Sequence, residues 1–467
     1  MTEAAGQIDP IWQPLAAVAG PDHVRPANPA RDAVDGVVPR AVVAPPDEET
    51  LACVLAYCHN HRLAVAPRGG GTQMRLGNVP ERLDVVLDLG RLSGIVHYEP
   101  ADLTVTVQAG MRLDDLQAEL ARHGQFLPID PPGGGRATIG GLLATGTSGP
   151  LRAGFGHLRD RLLGMRVVRA DGTVVRSGGR VVKNVAGYDM GRLHTGALGT
   201  LGVIVEATFK VQPLPAAWGA VAIAPGGGAG PRAGDATALL ALEEVVAALL
   251  DAPAQPVLAE IIGPPARLVV GFAGTKNEVD YAVQQACRIA DKSAGTGRLA
   301  ATPLPWAETH AQVLSVHREG AGPVKGRGAL VCRLHVPSDR AAALIAEAAA
   351  EAAAAGVDLA YAAHAAAGII RLHLGAEAPG REAPGRAARA AAQPDAAAAV
   401  YRSLILSWLA RCRDLGGNLV VERAPAALKR ELPVWGDPPA SLFLMRALKE
   451  KFDPHRILNP GRYVGGI

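Results

Sequence analysis

Cysteine is scarce in this chain. Cys53, Cys58, Cys287, Cys332 and Cys412 are odd in number and scattered. No Cys-x-x-Cys occurs, which excludes the common zinc and iron–sulfur ligand spacings. Cys53 and Cys58 lie in a helical apolar pattern and read as buried thiols. Aromatic residues make up only 4%, no basic run is present, and the formal net charge is +3. Nothing here supplies the charge stripe or stacking platform of a nucleic-acid binder. No stretch reaches the ~18 consecutive apolar residues that a membrane span requires. Met1–Pro10 carries acidic residues and no apolar signal core, so a soluble, cytoplasmic chain is expected. No Gly-x-Gly-x-x-Gly opens a helix with an acidic residue about twenty positions on, which argues against a Rossmann site and against NAD.

Glycine, by contrast, is abundant and placed with a purpose. Pro67-Arg68-Gly69-Gly70-Gly71-Thr72 follows an apolar strand and is answered further along by Ala137-Thr138-Ile139-Gly140-Gly141-Leu142-Leu143-Ala144-Thr145, running into Ser148-Gly149. Without Cβ atoms the backbone approaches a ligand closely, and successive N–H groups form an anion-binding concavity. The second stretch reads as a loop entering a helix, whose first N–H groups point at the same place. Two such devices suit a pyrophosphate.

At 467 residues the chain is too long for one core, and two or three domains are expected. Residues 1–35 read as a polar leader. Ala41–Val43 is strand-like, Asp47 is a good N-cap, and Leu51, Val54, Leu55 and Cys58 recur at helical spacing. Leu63–Pro67, Val85–Leu89 and Leu103–Val107 read as further strands, and Leu113, Leu116 and Leu120 mark a short helix stopped by Gly124. Asp171-Gly172 between apolar runs is a hairpin signal, and Val203–Val211 closes an α+β domain over 36–214. A Gly/Pro-rich linker is expected over 215–235. Beyond it, helical patterns at 236–250, 277–291 and 341–355 alternate with strand-like runs at 257–262, 267–272, 329–336 and 368–374. This pattern predicts a second, smaller domain, 236–467, built on an antiparallel sheet with helices on one face. The Ala/Pro/Gly/Arg tract 376–399 reads as a disordered insertion, and Leu442–Phe452 as a helix before a turn-rich end.

The motifs of the first domain are similar to those of the vanillyl-alcohol-oxidase-like, or PCMH-type, FAD-binding fold. The resemblance rests on Pro67–Thr72, Leu87-Asp88-Leu89, Thr138-Ile139-Gly140-Gly141, Arg159-Asp160 with Leu163-Gly164, Val182–Asp189 and Gly199–Ile204. Within that family the Lys183–Asp189 segment and the Phe452–Arg462 ending look most like the branch of FAD-binding subunits of bacterial glycolate oxidases. The resemblance implies a two-subdomain FAD-binding domain followed by an FAD-linked oxidase C-terminal domain. It implies that Gly69, Gly70, Gly71 and Thr72 donate to the pyrophosphate, with Arg68 either neutralising phosphate or solvated at the surface. Thr138, Gly140, Gly141, Thr145, Ser148 and Gly149 would hold the other side, and Gly202 and Ile204 would lie against the adenosine or the flavin edge. Tyr188 reads as core packing, and Lys183 with Asp189 as an ion pair.

Two departures bear on the chemistry. Where some members attach flavin through a histidine, Gly71 and Thr72 stand here, and His59 and His61 flank the first helix, so the FAD is expected to be non-covalent. Related 2-hydroxy-acid dehydrogenases carry a metal- and substrate-binding run, Gly-His-x-Gly-Asp-Gly-Asn-x-His. Here it is reduced to His364 and Gly368, with Ala367, Ile369 and Arg371 at the places of its aspartate, asparagine and last histidine. His364 therefore reads as an ordinary satisfied residue and no metal site is expected. His373 shares a strand face with Arg371. The resemblance implies an FAD-carrying subunit of a glycolate (2-hydroxy acid) oxidising complex. It would work with a homologous flavoprotein subunit and an iron–sulfur subunit, with possible membrane association only through those partners. The alternatives are a self-sufficient FAD-dependent dehydrogenase (of D-lactate, for example) using His317, His335 or His373 as base, and a flavin-stabilised structural subunit.

Overall fold

The computed structural model describes residues 11–181, 187–226, 235–293, 299–320, 330–375 and 394–467. The Val182–Ala186 part of the resemblance, Lys183 included, lies outside them, as do 376–393 of the expected insertion. Residues from Pro394 open the helix Pro394–Asp414, so the insertion ends earlier than its composition suggested.

The first domain pairs two sheets. A four-stranded sheet runs Val24–Pro26, Ala41–Val43, Val85–Asp88, Val65–Arg68, and the last three strands are parallel. The crossover is the helix Glu48–Asn60, capped by the Asp47 carboxylate, which accepts from Thr50 N–H at 2.8 Å. The helix buries Leu51, Val54, Leu55 and Cys58, whereas Cys53 is exposed. A five-stranded antiparallel sheet follows, in the order Ile95–Glu99, Thr104–Gln108, Val203–Lys210, Leu162–Val168, Val174–Gly178. Its last two strands are the Asp171-Gly172 hairpin, paired from Val168↔Val174 onward.

The second domain is one eight-stranded antiparallel sheet, ordered Leu299–Leu304, Ala217–Pro225, Arg267–Gly274, Leu258–Gly263, Asp358–His364, Ile369–Gly375, Leu330–His335, Asn418–Arg423. The helices Ala236–Leu250, Lys276–Lys292, Ala341–Ala354 and Pro394–Asp414 cover one face, and their apolar stripes share a core with Ile261, Leu334, Ala363, Leu372 and Val421. Strand side chains alternate between faces. Residues one step away in sequence therefore look the other way, toward the helix Trp306–Glu319 and the first domain.

Three further segment boundaries differ from the sequence reading. The presumed polar leader contains the helix Trp12–Ala19, whose Leu15 and Ala19 join Leu51 and Leu55 in the first core, and a strand that extends the four-stranded sheet. The first part of the expected linker holds the strand Ala217–Pro225, paired on both sides, while 227–234 lie outside the described residues. Gly219 of that strand lies close under Val279 of the helix Lys276–Lys292. The chain's end also leaves the second domain. Ile457 and Leu458 enter the first core, and Val65 donates to Ile457 C=O (2.7 Å) while Asn459 N–H donates to Val65 C=O (2.9 Å).

Candidate functional site

The two glycine stretches come together. A Cβ on Gly69 would strike the Thr138 hydroxyl, and one on Gly70 would strike the Arg136 carbonyl oxygen. Gly71 has φ +69°, a left-handed conformation natural to glycine. Gly140 packs against Ala109, where a Cβ would lie 2.7 Å from the alanine Cβ. The glycines thus let two backbone segments nest, and a groove between them is lined by Gly69–Thr72, Thr138, Gly141 and Thr145. Thr138 Oγ1 is buried in this groove without a hydrogen-bond partner, and Ser148 Oγ is likewise orphaned nearby in sequence. Buried hydroxyls are rarely left so, because the lost hydrogen bond costs ~1–3 kcal/mol. A polar ligand in the groove would satisfy Thr138. Thr145 Oγ1 donates to Gly141 C=O at 2.8 Å and also meets Thr147 Oγ1 at 2.7 Å.

Several expected cofactor residues do something else. Arg68 is 8% exposed, and its guanidinium is held by Asp32 (2.8 Å) and Asp88 (2.8 Å), so it is neither solvated nor aimed at a phosphate. Arg25 and Arg68 together hold the Asp32 carboxyl well below the usual carboxylate range, against its burial. Gly202 and Ile204 line neither this groove nor the cleft beyond it. Gly202 gives way to Val167, and Ile204 is core. Gly149 makes room for the Asp130 carbonyl. Tyr188 is 92% exposed rather than packed, and Asp189 caps a short helix and pairs with Arg192 at 2.9 Å.

From Gly71 and Thr72 the groove opens into a cleft of about 650 Å³ between the domains. Its far wall is the face of the eight-stranded sheet opposite the four covering helices, where polar residues stand at alternate positions. Glu260 lies directly opposite His364 across one strand pair, and Ala362 opposite Arg371 across the next. A β-bulge sets the last polar group: Val331 pairs with Arg423 but Cys332 with Val421, leaving Glu422 as the extra residue. Glu422 sits between two guanidinium groups, accepting from Arg371 Nε at 2.9 Å with Arg333 Nε at 3.3 Å. Burial would raise its pKa, but Arg371 and Arg333 overcome that and hold it down to about 2.

Arg371 also reaches His317 Nδ1 at 3.3 Å, and His317 Nε2 is 2.7 Å from Glu260 Oε2. The other oxygen of Glu260 is 2.6 Å from His364 Nδ1, and the two imidazoles stack at 4.5 Å. His364 is held by Glu260 and His317 rather than isolated on its strand. Among the described residues Glu260, His317 and His364 present three potential ligand atoms within 4.8 Å of one another. They come from two neighbouring strands and the helix Trp306–Glu319, so no local motif encodes them. A guanidinium only donates, so His317 Nδ1 is an acceptor and its Nε2 carries the hydrogen that points at Glu260. That nitrogen then has no lone pair for a cation. Burial lowers the pKa of both imidazoles and raises that of Glu260.

Of the three histidines considered as bases, His317 and His373 line the cleft, and His335 is exposed outside it. His373 is 1% exposed, both of its ring nitrogens lack partners, and burial pushes it down to about 3.

Comparisons with known proteins agree with this layout. Residues 39–178 match the FAD binding domain family, and residues 243–463 match the family of FAD linked oxidases, C-terminal domain. The chain is 34% identical over 212 residues to glycolate oxidase subunit GlcD of Bacillus subtilis (strain 168), covering 44% of this chain and 45% of that protein. It is 46% identical over 132 residues to glycolate oxidase subunit GlcE of Escherichia coli (strain K12), covering 28% and 38%. It is 35% identical over 193 residues to the mitochondrial D-lactate dehydrogenase [cytochrome] of Arabidopsis thaliana, covering 41% and 33%. These matches span less than half the length of each relative. Among solved structures, p-cresol methylhydroxylase with substrate bound superposes with a TM-score of 0.69 at 17% identity, over 98% of this chain and 97% of that one. Alkyldihydroxyacetonephosphate synthase gives 0.67 at 18%, over 98% and 86%.

Proposed function

The chain belongs to the FAD-linked oxidase family and its cofactor is FAD, and from that premise we propose that it is the FAD-carrying subunit of a complex that oxidises glycolate or a similar 2-hydroxy acid. The observation that carries the reading is the junction of the glycine groove with a cleft whose floor holds a buried guanidinium, Arg371, beside an unpartnered imidazole, His373. FAD supplies acceptance of a hydride equivalent from the α-carbon. The chain's own residues do the rest. Gly69, Gly70, Gly71 and Thr72 with Thr138 and Gly141 form a cradle that fits the pyrophosphate, and the cleft floor presents positive charge to an acid. The FAD is held without a covalent bond.

Similarity to both glycolate oxidase subunits supports a multi-subunit assembly, with a homologous flavoprotein subunit and an iron–sulfur subunit as partners. No described helix is long and apolar enough to cross a membrane. The cleft-lining His317 and His373 favour one second reading, in which the isolated chain oxidises its substrate unaided. Glycolate-dependent dye reduction separates the two: activity only after the partner subunits are added supports the subunit reading, and full activity of the chain alone overturns it. Acid precipitation is expected to release the flavin into solution, and flavin that stays with the polypeptide refutes non-covalent binding.

A further inference from the structure

We propose that Arg371, with His373 beside it, is the carboxylate anchor of the cleft, taking the acid group of a small 2-hydroxy or 2-oxo monocarboxylate. The identity of that substrate rests on the function proposed above, whereas the site rests on donor counting. A guanidinium has five N–H donors and no acceptor. In Arg371, Nε and one N–H of Nη2 meet the two oxygens of Glu422 at 2.9 and 3.4 Å, and one N–H of Nη1 meets His317 Nδ1 at 3.3 Å. One N–H on each terminal nitrogen remains without a partner among the described residues. Two adjacent donors of this kind are what a carboxylate bridges.

The residue is only 5% exposed, so bulk water does not satisfy them freely. His373, two positions along the same strand and on the same face, is buried with both ring nitrogens unpartnered. A neutral imidazole has one donor and one acceptor, which match the hydroxyl or oxo group next to the carboxylate. Charge points the same way. One carboxylate, Glu422, lies between the guanidinium groups of Arg333 and Arg371, so this trio carries a positive excess that suits an acid. Glu422 and His317 fix the guanidinium plane, so little side-chain freedom is lost when the acid arrives.

Calorimetric titration of the FAD-loaded chain with oxamate, a 2-oxo monocarboxylate with no C–H to lose as hydride, tests the site without turnover. The wild-type chain is expected to bind one oxamate. Arg371→Gln is expected to weaken binding on the order of 30-fold or more, as loss of a charge-assisted pair implies. Arg318→Gln, at the cleft rim where Arg318 pairs with Glu319, is expected to change it by less than about 3-fold, because exposed charges are screened. No heat with the wild type, or equal losses in the two variants, overturns the proposal. Should Arg371→Gln fail to fold, Arg371→Lys carries the test: it keeps the charge and loses the paired donors, so unchanged affinity also overturns it. Arg371-dependent oxamate binding without glycolate oxidation by the assembled complex removes the function proposed above and leaves this site standing.

Discussion

At the scale of single residues, the glycines and one arginine decide the site. Substituting Gly70 by alanine, without any charge, is expected to abolish FAD binding, since the new Cβ meets the Arg136 carbonyl oxygen, a backbone atom that has no room to yield. Gly140→Asp is expected to act by the same steric route against Ala109 rather than by repelling phosphate. Flavin absorbance of the purified variants checks both, and retained flavin in Gly70→Ala refutes the nesting of the two loops. Thr138→Val keeps the shape and removes the orphaned hydroxyl, and should weaken FAD by roughly tenfold, about one hydrogen bond. A second test concerns the imidazole wiring. Arg371→Met removes the donor that fixes the His317 tautomer, so its Nε2 becomes free to ligate beside Glu260 and His364. Cobalt(II) titrated into this variant should give one bound ion with a visible d–d spectrum, and none in the wild type. A wild-type chain that takes cobalt at this set refutes the wiring.

At the scale of elements, the returning tail fastens the cofactor domain. The helix Leu442–Phe452 ends at Asp453, a buried carboxylate that accepts from Lys449 Nζ (2.7 Å) and from the N–H groups of Ile457 (3.0 Å) and Leu458 (2.8 Å). Lys449 Nζ also donates to Thr200 C=O at 2.9 Å, in the turn before the strand Val203–Lys210. Burial lowers the pKa of that ammonium, while Asp453 supports its charge. Asp453→Ala leaves a buried cation without its partner and is expected to cost about 3–5 kcal/mol. The double variant Asp453→Leu with Lys449→Met should recover much of the loss, because no unpaired charge remains. Urea midpoints measure both, and a single variant within ~1 kcal/mol of wild type would show that the pair does not anchor the tail.

At the scale of the whole molecule, both domains carry buried neutral histidines, so acid should destabilise the two together. His194 in the first domain is pushed down to about 4 by burial, and His373 in the second to about 3 by burial and by Arg371. In the unfolded chain both titrate near 6.5. Below that pH the unfolded state takes up protons that the folded state refuses, so stability is full above ~6.5 and falls as pH drops toward the folded values. Each histidine is expected to cost roughly 2 kcal/mol at pH 5 relative to pH 7. Thermal unfolding followed across that interval should show a falling Tm, and His194→Gln should flatten the dependence. A Tm that holds steady from pH 7 to 5 refutes this.

The sequence by itself determined most of the elements and both of the glycine loops that meet in the groove. Strand and helix periods place 236–250 and 442–452 where the helices stand, and the hairpin at Asp171-Gly172 and the Asp47 cap are local chemistry. The glycine loops were legible because close backbone approach excludes side chains. Arg371 and His373 on one strand face followed from the period of two. Three things only the tertiary structure decided. Arg68 was taken by Asp32 and Asp88, Glu260 met His317 and His364, and Glu422 was turned between two arginines by a bulge. The physical reason is common to all three. Local sequence fixes which way a side chain faces on its own element, but its partner comes from a strand or helix far along the chain, and the sheet's order and register choose which one it meets.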